Sequence, residues 1–340
     1  MALRSSRVVF ALVLVVLMLA LAIPAQARPG GVSRFATLPE GPGHPEGIAA
    51  DAEGNIYVAT FEFTPANRIY VFGSNGQLKA DRTRNISYSP LGMLVVGNAL
   101  WVADFGNGDA VKYTLPLSAA SAEAARIDVC GGAGSNCALN AFAVDSSGNL
   151  YVSDSFGGRI FKITTAGVVS TWFADARLQP GSHAFPPFGA NGLAFSADGK
   201  TLFVANTGDD RVFKLRVSAA PLAADLSVFA ESLNGADGIV FDQQGRLWVA
   251  ENQNDRLVAL NANGRIVATR GSFGGIRKGT PIGLLFPASP VISGGFIYVT
   301  NAALALTPAT GDEPEEDVTR FTVTRIPLGG RDDDEEGDDD

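Results

Sequence analysis

One short string recurs six times along this chain: an aliphatic residue, an aromatic one, a valine and a small residue. It reads NIYVAT, ALWVAD, NLYVSD, TLFVAN, RLWVAE and FIYVTN, centred on Val58, Val102, Val152, Val204, Val249 and Val299. The steps between those valines are 44, 50, 52, 45 and 50 residues. A period of that size marks a repeat architecture, in which each copy buries its apolar faces only against its neighbours. Each copy is preceded by another apolar run and followed by an alternating one: RIYVFG, AVKYTL, RIFKIT, RVFKLR, RLVALN and TRFTVT. A fourth run often follows, as in VVSTWFA and DLSVFAE. Four short strands per unit is the pattern of a propeller blade. Turns such as SNGQ and NANGR suit tight hairpins, and 39 glycines and 18 prolines favour many short strands over long helices. The expectation is an all-β chain: a six-bladed β-propeller with four-stranded blades.

The chain ends bear on how such a ring closes. VSRFATLPEG, from Val32, resembles LSVFAESLNG, from Leu226, which reads as an outermost strand leading into the next blade. The sixth repeat lacks its own fourth strand after TRFTVTRIPL. The N-terminal segment is therefore expected to supply it and to pair an otherwise open sheet edge. This makes residues 28–330 one propeller domain.

Before it, Arg4 and Arg7 precede an apolar run from Val8 to Ile23 and a small-x-small site, Ala25-Gln26-Ala27. That is the layout of a signal peptide over residues 1–27, too short to span a bilayer comfortably, with an uncleaved anchor as the alternative. A secreted or periplasmic location follows, with no membrane contact after cleavage. Cys130 and Cys137, the only two cysteines, bracket CGGAGSNC and are expected to pair in an oxidising compartment. Residues 331–340, RDDDEEGDDD, form an acidic tail expected to be disordered. Most of the formal charge of −9 resides there. The body is near neutral and offers no basic surface for nucleic acid.

Aligning the run before each repeated valine gives PEGIAAD, PLGMLVV, LNAFAVD, ANGLAFS, ADGIVFD and PIGLLFP. The second position of each is Glu46, Leu91, Asn140, Asn191, Asp237 and Ile282. The first five lie 12, 11, 12, 13 and 12 residues before their valine, and Ile282 lies 17 before it. In a propeller, equivalent positions ring the central channel. Glu46, Asn140, Asn191 and Asp237 offer oxygen only, with two carboxylates to offset a divalent charge. That donor set suits Ca²⁺, with Mg²⁺ less suited because its geometry is smaller and stricter. Polar channel linings without a metal follow the same pattern, so both readings stand at this point.

These repeats and this ring resemble the calcium-dependent six-bladed propellers of the gluconolactonase/regucalcin (senescence marker protein, LRE-like) family, related to paraoxonase and diisopropylfluorophosphatase. The resemblance covers essentially the whole mature chain; NGLAFSADGKTLFVAN (Asn191–Asn206) and ADGIVFDQQGRLWVAEN (Ala236–Asn252) carry it best. It implies Glu46, Asn191 and Asp237 as ligands of one catalytic Ca²⁺, other divalent ions being possible, with Asn140 a fourth ligand or a substrate contact. It also implies Asp237 as general base or nucleophile, with Glu46 the second carboxylate and mainly a ligand. The implied function is hydrolysis of a lactone or related ester, a small-molecule substrate.

His183, on the long loop ARLQPGSHAFPPFGA, is expected on the same face and able to contact substrate. His44 is placed at the rim, and Asp104, Asp154 and Glu251, at the ends of second strands, are read as supporting or turn residues. No Gly-x-Ser-x-Gly elbow is present. The first repeat, EGIAAD, is closer to NHL-type propellers. It implies the alternative: a non-catalytic propeller that binds a protein, peptide or glycan.

Overall fold

A computed structural model of the chain describes residues 31–41, 43–62, 66–132, 136–181, 186–306 and 313–329. The leader (1–27), His183 and the acidic tail (331–340) lie outside the described residues. Six four-stranded antiparallel sheets form the blades of a β-propeller. Their innermost strands are His44–Ala50, Pro90–Val96, Leu139–Val144, Ala190–Phe195, Ala236–Phe241 and Pro287–Ser293. In the sixth sheet the outermost strand is Ser33–Thr37, which pairs antiparallel with Thr322–Pro327. The N-terminal segment thus closes the ring. Among the described residues no helix is long and apolar enough to cross a membrane.

The recurring aromatic-valine string has a direct packing cause. Neighbouring residues of a strand point to opposite faces, and both faces of each second strand are covered by other blades. Val58 packs between blades six and one, whereas its neighbour Tyr57 packs between blades one and two. The same division holds for Val204 and Phe203, for Val249 and Trp248, and for Val299 and Tyr298. The core is therefore a set of six clusters between blades. Each large side chain is worth roughly 2–3 kcal/mol of burial. In blades one and five the aromatic polar atom is satisfied by the aspartate just after the inner strand: Tyr57 Oη donates to Asp51 Oδ2 at 2.8 Å and Trp248 Nε1 to Asp242 Oδ2 at 2.9 Å.

What positions the ring is a bulge that repeats in all six inner strands. Pro45 pairs with Thr60 but Ile48 with Val58, so one extra residue sits between. The same shift falls at Pro90/Met93, Leu139/Phe142, Ala190/Leu193, Ala236/Ile239 and Pro287/Pro290. Such a bulge bends the strand and re-aims its side chains.

At this level the blades nearly touch. A Cβ on Gly47 would collide with the carbonyl oxygen of Leu91, and one on Gly92 with that of Asn140. Gly192 stands in the same relation to Asp237, and Gly238 to Ala288. Blades three and six carry no glycine there and use a hydroxyl instead. Ser153 Oγ donates to the Asn191 carbonyl at 2.7 Å, and Thr300 Oγ1 to the Glu46 carbonyl at 2.9 Å.

The sixth ring position is Ala288, not Ile282. Pro287 pairs with Asn301 and Pro290 with Val299, which sets Ala288 in the bulge 11 residues before Val299. Ile282 belongs to an added hairpin, Phe273–Arg277 with Thr280–Gly283, and is 48% exposed. The inserted hairpin ends in a Pro-x-Gly that imitates the start of an inner strand.

Candidate functional site

All six bulge residues (Glu46, Leu91, Asn140, Asn191, Asp237 and Ala288) line one cavity of about 50 Å³ at the end of the channel where the inner strands begin. Immediately below, the channel is lined by Ile48, Met93, Phe142, Leu193, Ile239 and Pro290, around a space of about 70 Å³. It then opens into an apolar well of about 320 Å³ at the far end. Glu46, Asn140, Asn191 and Asp237 thus share one layer, which suits one cation.

Polarity is unevenly spread around that layer. Asn140, Asn191 and Asp237 occupy consecutive blades three to five, and Glu46 stands on blade one between the apolar Ala288 and Leu91. A second layer repeats this division. It comes from the residues three places beyond each repeated valine: Phe61, Phe105, Ser155, Thr207, Asn252 and Ala302. Asn140 Nδ2 donates to Ser155 Oγ at 3.2 Å, and Asn191 Nδ2 to Thr207 Oγ1 at 2.9 Å. With each amide nitrogen engaged, its carbonyl oxygen is the group left for the cavity. Asn252 Nδ2 donates to Asp237 Oδ2 at 3.0 Å and fixes that carboxylate. Ser155, Thr207 and Asn252 were absent from the sequence-based set, although the valine alignment that yields the ring also yields them.

Two carboxylate oxygens in this cavity have no partner. Glu46 Oε2 and Asp237 Oδ1 are buried without a hydrogen bond. Orphan acceptors at such depth are rare, and each costs free energy unless something absent from the protein chain meets it. Burial, and then the nearby Asp237, hold the Glu46 carboxyl well above its usual range. Burial pushes Asp237 up to about 7, against the opposing hydrogen bonds from Asn252 and Asn191. Two buried carboxylates that resist ionising side by side, with two amide oxygens beside them, fit a hard divalent cation. The fit is to oxygen ligands alone.

His44 lines the same cavity. Its Nδ1 lies 2.8 Å from the Ala302 carbonyl, and its Nε2 lies 3.8 Å from Glu62 Oε1. Asp104, Asp154 and Glu251 do not reach the cavity. They are buried end-caps, paired with Arg126, Arg159 and Arg256, and they tie each blade's upper loops together. Cys130 and Cys137 are joined in a disulfide with their Cα atoms 5.9 Å apart, clipping the loop that enters blade three.

Residues 174–270 match the profile of the SMP-30/gluconolactonase/LRE-like region. No curated protein matches the chain. Among solved structures, a luciferin-regenerating enzyme superposes with a TM-score of 0.64 at 18% identity, over 86% of this chain and 94% of that one. Regucalcin of Agrobacterium tumefaciens, described as a calcium-binding protein, gives 0.62 at 18% identity over 88% and 97%. A gluconolactonase of Xanthomonas campestris gives 0.62 at 14% identity over 89% and 96%. The chain is therefore a six-bladed β-propeller that resembles the SMP-30/gluconolactonase/LRE-like proteins, in fold along nearly its whole length and in sequence across residues 174–270.

Proposed function

We propose that this protein hydrolyses a lactone or related ester at the upper end of the channel, with calcium as its cofactor. The observation that carries this reading is the pair of orphaned, buried carboxylate oxygens, Glu46 Oε2 and Asp237 Oδ1, in one cavity with Asn140 and Asn191. The match to the gluconolactonase profile and the likeness to a calcium-binding regucalcin support it. Glu46, Asn140, Asn191 and Asp237 would hold the ion, with Asn140 also placed to contact substrate. Bound there, calcium would supply Lewis acidity to the substrate carbonyl and balance the two carboxylate charges.

The chain's own groups handle the proton. Asn252 pins Asp237 Oδ2, so Oδ1 is the oxygen free to act as general base. As a water oxygen bonds to the carbonyl carbon, Asp237 takes its proton. The carbonyl-carbon to ring-oxygen bond then breaks, and the proton passes from Asp237 to the departing alkoxide, which leaves a hydroxy acid. With the cation bound, Glu46 would be ionised and would serve as a ligand.

The test is turnover of a lactone, ester and phosphotriester panel with calcium and with chelator, using wild type, Asp237→Asn and Glu46→Gln. Calcium-dependent turnover that both folded variants lose is expected. Unchanged activity in the variants would remove the mechanism, and a silent wild type that retains ligands on its loop face would favour the non-catalytic binding module. Export to an oxidising compartment belongs to the same proposal and is supported by the Cys130–Cys137 bond. N-terminal sequencing of exported protein should begin near Arg28.

A further inference from the structure

The cavity wall argues about substrate chemistry. Away from the polar arc its large apolar side chains are Phe61, Leu91, Phe105, Phe188, Phe286 and Leu304. Phe61 and Phe105 meet edge to face at 5.7 Å, Phe105 meets Phe188 at 6.4 Å, and Phe188 stacks on Phe156 at 5.9 Å. Those rings make one continuous aromatic wall beside Glu46.

Phe286 faces them from blade six and holds an unusual backbone. Its φ is +45°, a conformation that bulky L-residues rarely adopt. The Phe286 amide donates to Asp255 Oδ1 at 2.8 Å, and its carbonyl accepts from the Ala302 amide at 3.0 Å, so the strained geometry is held from both sides. Strain kept at a cavity wall to present an aromatic ring is a functional signature.

Part of the donor capacity that would read a polyol is already used within the protein. The amide nitrogens of Asn140, Asn191 and Asn252 are bonded to Ser155, Thr207 and Asp237, and the His44 Nδ1 lies against the Ala302 carbonyl. No lysine or arginine is among the described residues that line the cavity. Hydroxyls of a sugar lactone that fall on the side of Phe61, Phe105, Phe188 and Phe286 would meet phenyl rings without partners, which costs affinity.

We propose that the site takes an ester or lactone bearing a hydrocarbon substituent, alkyl or aryl, in place of a polyhydroxylated sugar lactone. This rests on the hydrolase reading for the word substrate, but the selectivity itself is a property of the cavity. The carbonyl end enters the small polar space, and the hydrocarbon lies between the Phe61–Phe105–Phe188 wall and Phe286.

The experiment uses the calcium-loaded full chain and two δ-lactams, which keep the ring and carbonyl but resist hydrolysis. One carries a hexyl chain and the other is polyhydroxylated. Calorimetry should find the hexyl lactam bound at least tenfold tighter, given about fourfold per buried methylene. Phe188→Ala and Phe105→Leu should each weaken the hexyl lactam by about five- to tenfold and the polyhydroxylated one by less. Phe105→Leu keeps an apolar side chain, so a parallel fall in both variants reports contact with the ligand and not loss of fold.

Equal or tighter binding of the polyhydroxylated lactam, binding of neither, or variants that weaken both ligands alike would overturn the proposal. Tight hexyl-lactam binding with no turnover of any lactone or ester would leave this selectivity standing and remove the hydrolase reading alone.

Discussion

The same six strands build two layers of the channel, and the layers could hardly differ more. At the bulge they present Glu46, Leu91, Asn140, Asn191, Asp237 and Ala288; just below they present Ile48, Met93, Phe142, Leu193, Ile239 and Pro290. The lower layer lines the channel with apolar side chains, which leave no side-chain polar group there in need of a partner. The bulge layer is released from that duty, because the extra residue turns its side chain out of the ladder and into the cavity. Three of its polar side chains sit together on blades three to five, and Glu46 stands on blade one between the apolar Ala288 and Leu91. The comparison shows where on a repeat fold chemistry can be written without disturbing the packing that maintains the ring.

The sharpest way to break it is to move a charge one layer down. Ile239→Asp places an unpaired carboxylate in the lower layer and should cost at least about 3 kcal/mol, read as a large fall in the denaturant midpoint. A variant as stable as wild type would show that the lower layer is wet and the two layers equivalent. Next in size, Asp237→Asn or Glu46→Gln should weaken calcium by about a thousandfold, the worth of one buried charge-assisted ligand, while the chelated protein becomes no less stable. Calorimetry and thermal melts together decide it. Loss of fold in these variants would assign the ring to structure.

A smaller effect is expected one shell out. Asn252→Ala frees Asp237 Oδ2 and should lower turnover by about tenfold, the net worth of one hydrogen bond, with calcium affinity falling less. Equal losses in both would make Asn252 a support for the ion and not for the base.

The smallest effect is a pH slope. Without calcium, Glu46 is held above its usual range and Asp237 at about 7, against 3.8 for an ordinary aspartate. The folded state therefore keeps protons that the unfolded chain releases. That contribution to stability is full below the unfolded value and is lost as pH rises through the folded one. The melting temperature of chelated protein should drop between roughly pH 4 and 8, and saturating calcium should flatten the curve. A slope that survives in the Glu46→Gln/Asp237→Asn double variant would assign it to other groups.

How far the ring could be read in advance is clearest at its sixth member. Five positions were legible because bulge and valine sit on paired strands, at a nearly constant offset of 11 to 13 residues. Ile282 broke that offset at 17, which was the available sign of an insertion, yet its Pro-x-Gly context outweighed it. Asn252 and Thr207 were equally periodic, but a polar residue after a strand end has many uses, and only their bonds to Asp237 and Asn191 single them out. Phe286 carried no periodic signal, because its place in the wall depends on a backbone turn held by Asp255 from another blade.

The amino-acid order by itself determined the six units, the closure by the N-terminal strand and the layer that carries oxygen. Each of these follows from local alternation repeated at a fixed period, and such alternation is written residue by residue. Tertiary structure alone decided which oxygens are left unpartnered and which wall is aromatic. Both depend on side chains from blades far apart in the chain meeting at one axis, where burial, and not neighbours in sequence, sets the cost of a charge.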